Sequence, residues 1–235
     1  MKFYDPSRAQ RCPCNDKGLT YSSRRYIQVP ENKVVALLGR NGVGKSTTLK
    51  AIMGLYPATG SITLNNKELV GTKTHHIVRS GLAYVPEDRE IFASLTVKEN
   101  LSLAERDKNP HYDLVYSLFP ELKTRSGQRA GTLSGGQQQM VAISRVLLNK
   151  NSLLLIDEPT KGLAPKLVTE VADALAKVSG SSTMLLVEQN LALVKRVAEH
   201  IIVMDQGKVV FTGGPENLRN EEFVKKMLGV SGGSH

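Results

Sequence analysis

GRNGVGKST, residues 39–47, is a glycine-rich turn between an apolar run, VVALL at 34–38, and a stretch of helical periodicity that begins at Lys45. It fits G-x-x-x-x-G-K-[ST], a pattern that acquires a mechanism when a strand precedes it and a helix follows. Gly39, Gly42 and Gly44 allow the backbone to bend so that successive amides, through Arg40, Asn41 and Val43, point inward at phosphate oxygens. The start of the helix adds partial positive charge. Lys45 is placed to reach the β- and γ-phosphates, Ser46 to ligate Mg²⁺ and Thr47 to touch the α-phosphate. These residues predict that the chain binds a nucleoside triphosphate.

Outward from the loop, short β-rich runs alternate with amphipathic stretches, which predicts an α/β fold with a mainly parallel sheet. Strands are expected at 34–38, 61–64, 153–156, 184–187 and 201–204, and Asp205-Gln206-Gly207 reads as a hairpin turn leading to a strand at 208–212. The first helix, 45–53, closes at Gly54 with Pro57 beyond it. Pro165 opens a later helix as a first-turn proline, and Asn190 caps the next. Residues 97–148 carry fewer β-branched runs and read as an inserted helical subdomain.

Two further motifs carry chemistry. SLLLIDEPT, 152–160, is a buried apolar strand ending in two acids, and acids at the carboxyl end of a parallel strand face the ligand crevice. On its own such a pair is more often a solvated turn. Downstream of a phosphate loop, Asp157 is placed to hold the Mg²⁺ shell and Glu158 to polarise the attacking water. LSGGQ, 133–137, followed by helical QQMVAISRVLL, is a second anion-binding helix start: Leu133 leads in, Ser134 offers a hydroxyl, Gly135 and Gly136 offer amides, and Gln137 closes the turn.

With these residues the sequence resembles the ABC transporter ATPases from residue 27 to about residue 229. The resemblance implies a P-loop NTPase core with an N-terminal antiparallel β region, ATP and Mg²⁺ as ligands, and head-to-tail pairing with a second ABC ATPase subunit, identical or not. In such a pair, residues 133–137 close over ATP held by the partner, while Lys45 and Glu158 act within one subunit. YVPEDREIFASLTVKENL, DEPTKGLAP and LLVEQN are similar to ATPases of branched-chain amino-acid and urea importers. REIF and GRNGVGK lean to the urea branch and GLAP to the amino-acid branch, so both substrates stay open. Membrane-spanning permease subunits, and through them a periplasmic or lipoprotein substrate-binding protein, are the implied partners. Residues 87–100 are expected to receive the permease.

The sequence departs from the common ABC pattern at three positions, all shared by the amino-acid importer branch. Glu87 stands where most members have a glutamine near the metal, Pro165 where many have an aspartate, and Gln189 where the usual histidine helps to hold the attacking water. Residues 1–26 are atypical. The stretch at 15–18 lacks the aromatic that stacks on adenine in relatives, leaving either a misassigned start or a role for Tyr21.

Bulk properties bound the reading. A length of 235 residues suits one large α/β domain, 27–235 here, with a grafted subdomain. The net charge of +9 comes from scattered Lys and Arg without a long run, so nucleic acid is not an expected partner. Cys12 and Cys14 lack the further ligands a zinc site needs and read as free thiols. No stretch approaches the about 18 apolar residues of a membrane span, and the first residues have no signal-peptide core. The expectation is a cytoplasmic protein, peripheral at the inner face of the membrane. The alternatives are a soluble non-transport ABC ATPase, or a nucleotide-binding module with impaired hydrolysis.

Overall fold

The alternating pattern resolves into two sheets in the computed structural model, which describes residues 2–4 and 26–229. Cys12, Cys14, residues 15–18 and Tyr21 lie outside the described residues, as does the side chain of Tyr26. In chain order the elements are β1 (Lys2–Tyr4), β2 (Tyr26–Gln28), β3 (Val34–Leu38), α1 (Lys45–Ile52), β4 (Ser61–Leu64), β5 (Lys67–Glu68), α2 (Thr74–Arg79) and β6 (Leu82–Val85). Four helices follow: α3 (Val97–Ser102), α4 (Tyr112–Leu118), α5 (Pro120–Thr124) and α6 (Gly135–Leu147). The chain continues through β7 (Leu153–Asp157), α7 (Pro165–Ser179), β8 (Met184–Val187), α8 (Leu191–Val197), β9 (His200–Asp205), β10 (Lys208–Gly213) and α9 (Glu221–Leu228).

The larger sheet has the order β10-β9-β3-β8-β7-β6. It is parallel except for β10, which the Gln206-Gly207 turn folds back antiparallel on β9. Both turn residues have positive φ, as a two-residue hairpin with the sheet's twist requires. The smaller sheet, β2-β1-β4-β5, is antiparallel.

Strands β3, β7 and β8 are buried along their whole length, which is why they read as continuous apolar runs. In β3, Val34, Ala36 and Leu38 point into a core shared with α6, α7 and α8, whereas Val35 and Leu37 point into a second core shared with α1 and β4. The sheet is therefore covered on both faces, and only its strand ends are open to ligand. Among the described residues no helix is long and apolar enough to cross a membrane.

Candidate functional site

The site is built by strand order. β8 lies between β3 and β7, and the register sets Leu37 and Asp157 on either side of Val187. Three loops therefore leave the sheet side by side: the phosphate loop after β3, the acids at the end of β7, and Glu188-Gln189 after β8. This is the carboxyl-end crevice in which open parallel sheets bind ligands.

In the phosphate loop, Gly39 has φ 147, and a Cβ there would collide with the Met204 carbonyl, so no side chain fits. Gly44 ends the loop in the left-handed region, and no side chain caps α1. The first-turn amides and the positive helix end are thus available to an anion. Val43 is buried and anchors the loop from below, its carbonyl accepting from the Gly207 amide at 3.0 Å. Lys45 is 5% exposed, and its Nζ donates to the Gly39 and Arg40 carbonyls at 2.8 and 3.0 Å. Burial pulls the Lys45 pKa down, while the Glu158 and Asp157 carboxylates act to raise it.

Two cavities flank the loop. Gly39, Arg40 and Asn41 line one of about 370 Å³ with Glu188 and Gln189. Gly44 and Thr47 line another of about 310 Å³, with Ala51, Pro57, Met204 and Val209.

The Ser46 hydroxyl donates to Asp157 Oδ1 at 3.1 Å, and the Tyr84 hydroxyl to Oδ2 at 3.3 Å. Burial raises the Asp157 pKa, and these two hydrogen bonds oppose the rise. Burial, followed by the Asp157 charge, pushes the Tyr84 phenol far above its usual range, so Tyr84 stays a donor.

Glu158 is buried and holds φ 45, a left-handed conformation that costs a non-glycine residue about 1–3 kcal/mol. Its Oε1 accepts from Gln189 Nε2 at 2.6 Å, and its Oε2 lies 3.5 Å from Lys161 Nζ. Lys161 also pairs with Glu87, the stronger of its two contacts and the first cause of its raised pKa. Of the three residues expected at the metal, Ser46 and Asp157 therefore touch, whereas Glu87 pairs with Lys161, which also lies 3.5 Å from Glu158 Oε2.

The signature residues stand apart from this cluster. Ser134 caps α6, its Oγ accepting from the Gln137 amide, while Gln137 Oε1 accepts from the Ser134 amide. Gln137 Nε2 donates to Glu121 at 2.9 Å, and Leu133 is buried. Among the described residues no hydrogen bond or ion pair links residues 133–137 to residues 39–47. A Cβ on Gly136 would run into the Leu167 side chain of α7. Gly136→Ala is accordingly expected to lower stability by about 1–3 kcal/mol, read as a lower denaturant midpoint at unchanged slope. An unchanged midpoint would show that Leu167 yields without cost.

Several contributors escaped the sequence reading. Glu188 is buried and meets four donors from two loops. The acid ending the apolar run MLLV was a readable signal, of the same form as the one ending LLLI. Tyr84 and Lys161 left no such signal, since both depend on which loops are neighbours. Asn100, fully buried, pins the loop before α3 through the Phe92 amide and the Phe92 and Thr96 carbonyls.

The sequence model of the family described as ABC transporter matches residues 25–161, more than half of the chain. The chain belongs to the ABC transporter family. This ABC ATPase is 41% identical over 191 residues to the high-affinity branched-chain amino acid transport ATP-binding protein BraG of Pseudomonas aeruginosa, covering 78% of this chain and 82% of that protein. It is 36% identical over 211 residues to the probable branched-chain amino acid transport ATP-binding protein LivF of Archaeoglobus fulgidus, covering 86% and 89%. A solved ATP-binding cassette of an ABC transporter superposes with a TM-score of 0.72 at 26% identity, over 87% of this chain and 89% of that one. As an ABC ATPase the chain binds nucleotide and hydrolyses ATP.

Proposed function

We propose that this ABC ATPase powers an importer of branched-chain amino acids, binding MgATP at residues 39–47 and hydrolysing it with Glu158 as the base. The observation that supports this most is the meeting of Gln189 Nε2 and Glu158 Oε1 at 2.6 Å beside the loop. It sets a carboxylate and an amide beside the cavity that Gly39, Arg40 and Asn41 line with Gln189, where a γ-phosphate would be held in this reading. The substrate class rests on the relatives named for branched-chain amino acids.

In this reading the residues divide the work. Loop amides of residues 40–44 and the α1 N-terminus grip the phosphates, and Lys45 turns from the Gly39 and Arg40 carbonyls toward the β- and γ-oxygens. Ser46 and Asp157 fit Mg²⁺. They present a hydroxyl and a carboxylate oxygen 3.1 Å apart, and this ion takes few protein oxygens and keeps water and phosphate as its other ligands. Held by Ser46 and Asp157, the ion would supply positive charge that offsets charge on the phosphates. Glu158 accepts the proton of the attacking water, and Gln189 orients that carboxylate. Glu87, paired to Lys161, would sense the permease from the loop after β6. Ser134, Gly135, Gly136 and Gln137 would close on ATP held by a second ABC ATPase subunit. The exposure of Ser134 and Gly135 at the start of α6 supports that arrangement. The complex then sits at the inner face of the membrane through its permease.

Lys45→Ala is expected to weaken ATP binding at least about tenfold. It removes a charge-assisted contact worth about 1.5–3 kcal/mol. Titration with a fluorescent ATP analogue checks it, and unchanged affinity would overturn the assignment of the loop.

A further inference from the structure

We infer that Glu188 is a positioning residue that locks the catalytic carboxylate and Gln189 face to face, an inference that rests on the reading of Glu158 as the base. Glu188 is 3% exposed, yet every donor its carboxylate needs is supplied. Its Oε1 accepts from the Thr160 amide at 3.1 Å and from the Thr160 hydroxyl. Its Oε2 accepts from the Gln189 and Asn190 amides at 2.6 and 2.7 Å. One oxygen thus holds the loop after β7 and the other holds the loop after β8. A buried carboxylate is costly unless paired or fully hydrogen-bonded, and four donors meet that requirement without a counter-ion.

The geometry gives those bonds a task. Glu158 sits at φ 45, and a residue in that region stays there only when its neighbours over-determine it. On one side the Glu158 amide is bound to the Val187 carbonyl at 2.9 Å. On the other side, two residues on, Glu188 grips Thr160 through both amide and hydroxyl. The same carboxylate fixes the backbone amide of Gln189, whose side chain reaches Glu158. Release of Glu188 therefore frees both partners of the Gln189–Glu158 contact at once. Asn190 adds a further constraint, because it also caps α8 and ties this loop to a helix.

Glutamine at position 188 would turn one oxygen into a donor facing donors. Thr160→Val would remove only the hydroxyl arm, and Thr160→Ser would keep it. On the full-length chain, Glu188→Gln is expected to lower kcat for ATP about tenfold or more, with KM changed by less than about threefold. Thr160→Val is expected to lower kcat in the same direction but less, and Thr160→Ser to restore it. On a Glu158→Gln background, Glu188→Gln should reduce single-turnover hydrolysis by less than about twofold more, because the group it positions is already gone.

A Glu188→Gln kcat within about twofold of the parent per folded protein, or an equal loss on both backgrounds, would overturn the inference. Should Glu188→Gln fail to fold, the threonine pair decides, and serine performing no better than valine overturns it. Failure of the base assignment looks different: Glu158→Gln alone would then hydrolyse ATP at the parent rate, which removes both readings together.

Discussion

Glu158→Gln is expected to hydrolyse ATP about a hundredfold or more slowly while still binding MgATP within about threefold of the parent. The substitution keeps the shape of the side chain and its contact region, but removes the carboxylate that accepts a proton from water. It also reverses the local hydrogen-bond logic. Oε1 of Glu158 accepts from Gln189 Nε2 at 2.6 Å, and the new amide can keep that bond only by aiming its oxygen at Gln189. Its nitrogen would then face Lys161, which lies 3.5 Å from Oε2. The phosphate loop, with Lys45 and Ser46, is untouched, so affinity survives. Single-turnover hydrolysis beside an ATP titration checks the split. A rate near that of the parent would remove Glu158 as the base. With ATP held but not cleaved, this variant is also expected to dimerise if residues 133–137 close over a partner's nucleotide. Light scattering at saturating ATP tests that, and adding Ser134→Arg should return the monomer.

Gln189→Ala is expected to raise the barrier to hydrolysis by about 2–4 kcal/mol, with little change in ATP affinity. That corresponds to a rate about thirtyfold to a thousandfold lower. Among the described residues, Gln189 is the side chain other than Lys161 with a hydrogen bond or ion pair to the Glu158 carboxylate. Its loss leaves a buried carboxylate oxygen without its neutral donor and free to turn toward Lys161. An amide has a donor for the carboxylate and an acceptor for water, but neither gains nor loses a proton at ordinary pH. Gln189 therefore orients and does not titrate. Gln189→His should retain substantial activity because a ring N–H can replace the donor. Single-turnover hydrolysis by the alanine variant within about threefold of the parent would leave Gln189 as no more than a polar strand end.

The parts of the site that were legible in the sequence are those whose chemistry is local. Gly39, Gly42 and Gly44 announce a phosphate loop because all three hold positive φ, and the constraint acts within a few residues. The helix starts at Ser134, Pro165 and Asn190 were legible for the same reason, since a cap binds its own first turn. The long apolar runs of β3, β7 and β8 announced buried parallel strands, because a sheet covered on both faces needs no polar side. The signature motif was visible, but its capping-box role also accounts for Ser134 and Gln137 within one chain.

What the sequence by itself determined is therefore the fold class, the glycine-rich turn before α1 and the acids that end β7. Strand order decided the rest. Val187 lies between Leu37 and Asp157 only because β8 inserts between β3 and β7, and no periodicity in the text encodes that insertion. From it follow the meeting of Gln189 with Glu158, of Ser46 with Asp157, and of Glu188 with Thr160 across 28 residues of chain, whereas Tyr84 meets Asp157 through the pairing of β6 with β7. Such pairings have no sequence signal because each joins two ordinary polar residues from distant parts of the chain. Burial beside a particular neighbouring loop is what gives each of them its role.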